Sequence, residues 1–199
     1  MVSYDGRETA PAAAQENRFL TKNGKVMGRM EAMVGGKSVG VPGVMRLMEM
    51  VHRKHGVLPW ADLFAPAIAL AEDGFAISPR LHTLLSGESA LKNIEPAKSF
   101  YYDGQGDAKA VGTILKNPQF AKTLRILADQ GADAFYEGPL AANIVRTVAA
   151  ATNNPGDMTL DDISGYEAKE RPAVCGMYRT YRVCGMGPPS SGALTVGQI

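Results

Sequence analysis

Cysteine is scarce in this sequence, with only Cys175 and Cys184 among 199 residues. Two cysteines exclude a disulfide-rich scaffold, and the lack of any Cys-x-x-Cys removes the commonest zinc-site spacing. Histidine is hardly more abundant. His52, His55 and His82 stand outside any His-Glu-x-x-His pattern, so a dedicated transition-metal site is not expected. Neither charge dominates: Lys plus Arg number 21 and Asp plus Glu 20, a formal net charge of +1. That argues against nucleic acid as a partner, because such binders carry a plain basic excess. No apolar run approaches the ~18 residues that a membrane span requires. The first fifteen residues also lack the apolar stretch of a signal peptide. Internal repeats, low-complexity tracts, phosphate-binding glycine spacings and a Gly-x-Ser-x-Gly elbow are all missing. What is present is an ordinary globular composition, 45% hydrophobic, long enough for one domain or two small ones.

The periodicity predicts an α/β or α+β chain with a mostly helical middle and a C-terminal β-hairpin. Val2-Ser-Tyr4 reads as the end of a strand, closed by an Asp5-Gly6 turn. Residues 12–14 can open a short helix, and Asn23-Gly24 marks a second turn. Val44, Leu47, Met48 and Val51 form the apolar stripe of a helix over residues 43–55, stopped at Gly56. A helix over residues 60–73 has Trp60, Leu63, Phe64, Ala67, Ile68 and Ala71 on its apolar face, with Pro66 imposing a kink or a delayed start. Ser78-Pro79 and Asn117-Pro118 each pair a capping residue with proline at the first helical position. The first starts a helix to about Leu85. The second starts one to about Gly131, with Phe120, Leu124 and Leu127 inward. Leu140, Ile144, Val145 and Val148 face inward from a helix over residues 139–152. Thr159-Leu-Asp-Asp162 resembles a capping box for a helix of one or two turns. The sequence begins almost within a strand and stops within a helical pattern, so an excerpt from a longer polypeptide is expected.

Several polar groups invite a chemical reading, and each has a plainer one. Arg7 follows the Asp5-Gly6 turn, where its guanidinium fork could take a carboxylate by two parallel hydrogen bonds; an exposed arginine paired with Glu8 is the simpler account. Ser190 and Ser191 have no evident base, and a turn with Ser191 capping the last helix is the better reading. His52 and His55, beside Arg53 and Lys54, read as a solvated basic helix end. Helix capping accounts for Asp161 and Asp162, and core filling for Met27, Met30, Met33, Met45, Met48 and Met50.

Residues 171–184 carry β-branched and aromatic residues on both sides of Tyr178-Arg-Thr-Tyr181, which reads as a β-hairpin. With Arg179-Thr180 as a two-residue loop, Cys175 faces Cys184 as a non-hydrogen-bonded pair, with Cα atoms about 4.5 Å apart and within reach of a disulfide. Thr180 suits a primed turn poorly, and a longer loop or bulge would slip the register and separate the sulfurs.

Taken in order, several strings are more specific than any one of them. They are Tyr4-Asp-Gly-Arg-Glu-Thr-Ala-Pro11, Ser38-Val-Gly-Val-Pro-Gly43, His55-Gly-Val-Leu-Pro-Trp60, Pro66-Ala-Ile-Ala-Leu-Ala-Glu-Asp-Gly-Phe75, Phe135-Tyr-Glu-Gly138, Met158-Thr-Leu-Asp-Asp-Ile-Ser-Gly-Tyr166 and Pro188-Pro-Ser-Ser-Gly192. Together they resemble the γ-glutamyltranspeptidase family across the whole chain, with Ala193 standing where that family often has a second glycine.

The resemblance implies part of the large subunit of an N-terminal nucleophile hydrolase, a four-layer αββα sandwich. Its precursor cuts itself before a catalytic threonine, and the small subunit so released is the partner of the large one. The substrates implied are glutathione and other γ-glutamyl compounds, the acyl group passing to water, amino acids or peptides without metal or organic cofactor. Arg7 matches the family's ligand for the substrate α-carboxylate. Neither Thr9 nor Thr195 lies in the nucleophile motif, so no catalytic residue is assigned and the isolated chain is expected to be inactive and to self-associate. A periplasmic or secreted setting is expected from the family and would suit a Cys175–Cys184 bridge. The alternatives are a glutaryl or cephalosporin acylase of the same superfamily, or a non-catalytic paralogue that binds a partner.

Overall fold

The computed structural model describes residues 1–88 and 90–199. Along the chain these form β1 (Val2–Asp5), α1 (Arg29–Met33), α2 (Val44–His55), α3 (Ala65–Asp73), β2 (Phe75–Ala76), α4 (Pro79–Gly87), α5 (Ala97–Tyr101), β3 (Ile114–Leu115), α6 (Pro118–Gln130), α7 (Asp133–Tyr136), α8 (Gly138–Ala149), α9 (Leu160–Ser164), β4 (Lys169–Pro172), β5 (Val174–Tyr178), β6 (Tyr181–Gly185) and α10 (Gly192–Gly197). The middle is mostly helical and a hairpin lies near the C-terminus, as the sequence predicts. The strands pair antiparallel as β1–β4, β2–β3 and β5–β6. Two compact units result, Met1–Val57 with Gly131–Ile199, and Leu58–Gln130.

The first unit is built around Val41, Tyr136, Ala141, Val148, Met158, Ile163 and Tyr166, with Met45, Leu47, Met50, Ile144 and Val145 packed on them. Helix α2 turns inward only part of its predicted stripe: Leu47 packs on the core and Val51 is half-buried. Val44 and Met48 are exposed, whereas Glu49 is buried. Charge satisfaction explains the difference. The Glu49 carboxylate accepts the Ala132 amide at 3.2 Å and pairs with Arg46 and Arg53 at 3.1 and 3.2 Å, so a buried charge meets several donors. The six methionines divide: Met27, Met45 and Met50 pack inward, while Met30, Met33 and Met48 are exposed. Core filling describes only half of them. On α8 the buried residues are Ala141 and Val148, with Leu140 half-buried.

Capping determines the helix starts as expected. Thr159 Oγ1 accepts from the Asp162 amide at 3.1 Å while Asp162 accepts from the Thr159 amide at 2.8 Å. Ser78 and Asn117 accept from Leu81 and Phe120 in the same way. The short helix expected at residues 12–14 is instead a single turn closed by Ala14 N–H on the Pro11 carbonyl. In the second unit Pro66 delays the start of α3, which follows a 3₁₀ turn at Ala61–Phe64. Helix α6 buries Ala121, Leu124 and Leu127, not Phe120.

The β5–β6 register is the one that a two-residue loop requires: Tyr178 faces Tyr181, and Cys175 faces Cys184. The two cysteines are joined, their Cα atoms 4.1 Å apart. Of the two loop residues Arg179, not Thr180, takes a left-handed conformation (φ 55°), which spares the β-branched Thr180 and removes the objection to a tight turn.

Candidate functional site

The segment from Asp5 to Ala12 is held to its unit at several points. Strand β1 delivers Asp5 to a buried position, and Gly6 follows where the backbone runs against α2. A Cβ on Gly6 would lie 2.5 Å from Leu47 Cβ, so only glycine fits that approach. Asp5 then folds back on the chain. One carboxylate oxygen accepts the Arg7 amide at 2.9 Å and the other accepts Arg171 Nε at 2.7 Å. On the far side of the peptide, Tyr166 Oη donates to the Arg7 carbonyl at 2.7 Å. Gly43 leaves the room for that hydroxyl, because a Cβ there would come within 2.1 Å of it. Thr9 and Val41 exchange backbone hydrogen bonds of 3.3 and 2.8 Å, and Ala12 N–H reaches Asp162 at 2.8 Å.

Ionisation supports these contacts. The Arg7 amide, and then the Arg171 guanidinium, hold the Asp5 carboxyl below the usual carboxylate range. Burial pushes the Tyr166 phenol up, helped by the nearby Asp5 carboxylate, so the hydroxyl keeps its proton and remains a donor. Desolvation opposes ionisation of Asp162, but the Ala12 and Thr159 amides outweigh it and hold this carboxyl low.

The Arg7 side chain contrasts with its backbone. It is 62% exposed, and its Nε reaches Glu8 Oε1 at 3.0 Å, Glu8 being 56% exposed. Pairing with Glu8, the simpler sequence reading, is therefore present. A pair this exposed contributes at most about 1 kcal/mol, so an incoming carboxylate can compete for the fork. The arrangement is an arginine with a fixed root and an accessible head.

The other sequence candidates play structural parts. Ser191 makes no side-chain cap on α10; its backbone is helical (φ −85°, ψ −16°) and not the extended one of a capping residue, and Ser190 Oγ accepts the Gly192 amide at 3.4 Å instead. His55 is more than a solvated helix end, sharing a 2.7 Å hydrogen bond with Tyr4, while neighbouring Lys54 pairs with Glu170 at 2.6 Å. Asp162 both caps α9 and anchors Ala12. Among the described residues no group of three or more His, Cys, Asp or Glu could hold a metal ion, and no helix is long and apolar enough to cross a membrane. The residues that sequence reasoning missed are Asp5, Tyr166 and Arg171. Their only signal is their presence in the Tyr4–Pro11 and Met158–Tyr166 strings or, for Arg171, in the strand that follows.

Residues 1–199 match the family model described as gamma-glutamyltranspeptidase. The glutathione hydrolase proenzyme of Escherichia coli is 33% identical over 200 residues, covering all of this chain and 34% of that protein. The glutathione hydrolase proenzyme of Arthroderma benhamiae is 36% identical over 195 residues, 96% of this chain and 32% of that protein. Among solved structures, the Helicobacter pylori gamma-glutamyltranspeptidase superposes with a TM-score of 0.90 at 33% identity, over 98% of this chain and 55% of that one. The chain thus spans about a third of the length of these curated relatives. Its fold is the corresponding part of an N-terminal nucleophile hydrolase. This chain belongs to the gamma-glutamyltranspeptidase family.

Proposed function

We propose that this chain is part of the large subunit of a γ-glutamyltransferase (glutathione hydrolase), and that Arg7 binds the α-carboxylate of the γ-glutamyl group. The observation that carries the reading is the setting of Arg7: both of its backbone polar groups are engaged by buried partners, while its guanidinium is exposed and pairs with exposed Glu8. Relatives named glutathione hydrolase proenzymes support the substrate class and synthesis as a precursor. The small subunit of the same precursor is the partner on this reading. A periplasmic or secreted setting accommodates the Cys175–Cys184 bond.

The chemistry is acyl transfer. A threonine hydroxyl outside this chain attacks the γ-carbonyl, its own α-amine taking the proton and passing it to the departing amine. Water or an amino group then attacks the resulting ester and restores the hydroxyl. Arg7 takes no part in bond making. It fixes the end of the substrate remote from the scissile bond, and the carbonyl is thereby held for attack.

Hydrolysis of a γ-glutamyl anilide by the intact enzyme tests the assignment. Losing a charge-assisted carboxylate contact removes about 1.5–3 kcal/mol, so Arg7→Ala is expected to lower kcat/KM by about ten- to a hundredfold. Arg7→Lys, which keeps the charge without the fork, falls between. An unchanged kcat/KM in Arg7→Ala would sink the assignment.

A further inference from the structure

We infer that Tyr166 and Asp5 are positioning residues for substrate-carboxylate capture: they grip the Arg7 carbonyl and amide, and so fix the root from which the guanidinium reaches. The inference rests on the reading of Arg7 given above.

An arginine head is placed by its Cα and by its side-chain torsions, and on an exposed side chain the torsions are free. The Cα is then the main constraint that the fold can impose. At Arg7 it is held from both directions, by the 2.9 Å bond from its amide to Asp5 and the 2.7 Å bond from Tyr166 to its carbonyl. Neither partner is local surface. Tyr166 is 6% exposed and Asp5 7% exposed. Each is itself held: Tyr166 stacks on Tyr136 with ring centroids 6.0 Å apart, and Asp5 receives Arg171 at 2.7 Å.

One feature of this arrangement is not needed for packing alone. Phenylalanine at position 166 would fill the same volume and keep the stack, so the hydroxyl serves the Arg7 carbonyl. Gly43 makes room for ring and hydroxyl alike, since a Cβ there would strike the Tyr166 Oη and Cζ and the Gly6 carbonyl. A displacement of about 1 Å in a substrate-positioning group can lower a rate a hundredfold, which is the reason for holding the root of a long side chain so firmly.

Tyr166→Phe in the intact enzyme removes the bond and spares the ring. The expected result is a fall of about fivefold to tenfold in kcat/KM for a γ-glutamyl anilide, carried mainly by KM. Two readouts separate positioning from a merely structural role. With a γ-aminobutyryl anilide, which lacks the α-carboxylate, Tyr166→Phe should match the parent within about twofold. On an Arg7→Ala background it should add no further loss, because coupled residues are non-additive. Asp5→Asn, read in the same way, supplies a second variant. No loss in Tyr166→Phe, equal loss with both anilides, or full additivity with Arg7→Ala would overturn the inference while leaving the Arg7 reading intact. Failure of that reading shows separately, as an Arg7→Ala enzyme of unchanged kcat/KM.

Discussion

At Asp5 a single buried carboxylate joins three pieces of chain: its own strand, the Arg7 amide and the Arg171 side chain arriving from β4. Because these donors hold its folded pKa below the unfolded value, its contribution is complete above the unfolded pKa of about 3.9. It is lost as pH falls through the lower folded value. Asp5→Asn is accordingly expected to destabilise the folded chain by about 1–2 kcal/mol near neutrality, with the gap to the parent closing in more acid solution. Denaturant unfolding at pH 7, 5 and 3 measures this, and a gap that widened toward pH 3 would contradict the assignment. The same residue shows how much of the candidate site was legible in advance. Arg7 could be singled out because a turn, a guanidinium and a family string coincide within eight residues of sequence. Its supports could not, since Tyr166 lies 159 positions from Arg7 and Arg171 lies 166 from Asp5. Local pattern carries no information about pairings at that distance.

Among the elements, those with local causes were readable. Caps at Ser78, Asn117 and Thr159 mark the starts of α4, α6 and α9, and the two-residue loop sets the β5–β6 register. The ladders β1–β4 and β2–β3 were not read, because strands of four and two residues have too few side chains to show an alternation. The inward face of α2 was read only in part, with Leu47 inward but Val44 and Met48 exposed, because hydrophobic periodicity cannot foresee a glutamate buried by donors from Arg46, Arg53 and Ala132. The hairpin offers its own test. Its disulfide closes a loop with a sequence separation of 9, for which chain-entropy reasoning gives about 2–3 kcal/mol. A protein carrying both Cys175→Ala and Cys184→Ala should be less stable by about that amount, and non-reduced, denatured parent protein should titrate no thiols. Two free thiols per chain would contradict the pairing.

For the molecule as a whole, the exposed apolar surface sets the expectation. Met177, Tyr181 and Val183 on the hairpin and Leu194 and Val196 on α10 are each at least 46% exposed, and β5 and β6 pair only with each other among the described residues. Unpaired ribbon edges beside apolar side chains favour association. A protein made of these 199 residues alone is expected to gain mass with concentration in light scattering. It should show no γ-glutamyl anilide hydrolysis, because the role proposed for Arg7 is binding and supplies no nucleophile. Turnover above background that disappears with Arg7→Ala would refute the second expectation, and a monomer at high concentration the first.

The long reach of the contacts around Arg7 also orders events in time. A ribosome adds about 5–20 residues per second, so Asp5, Gly6 and Arg7 are complete roughly 10–30 s before Tyr166 and Arg171 are joined to the chain. The Leu58–Gln130 unit, contiguous in sequence, is complete only near the end of that interval, roughly 2–7 s before Tyr166 is added, and can start to fold first. The hold on the Arg7 backbone thus waits on residues made well after Arg7 itself, and a nascent chain can acquire the Leu58–Gln130 unit before the root of Arg7 is set.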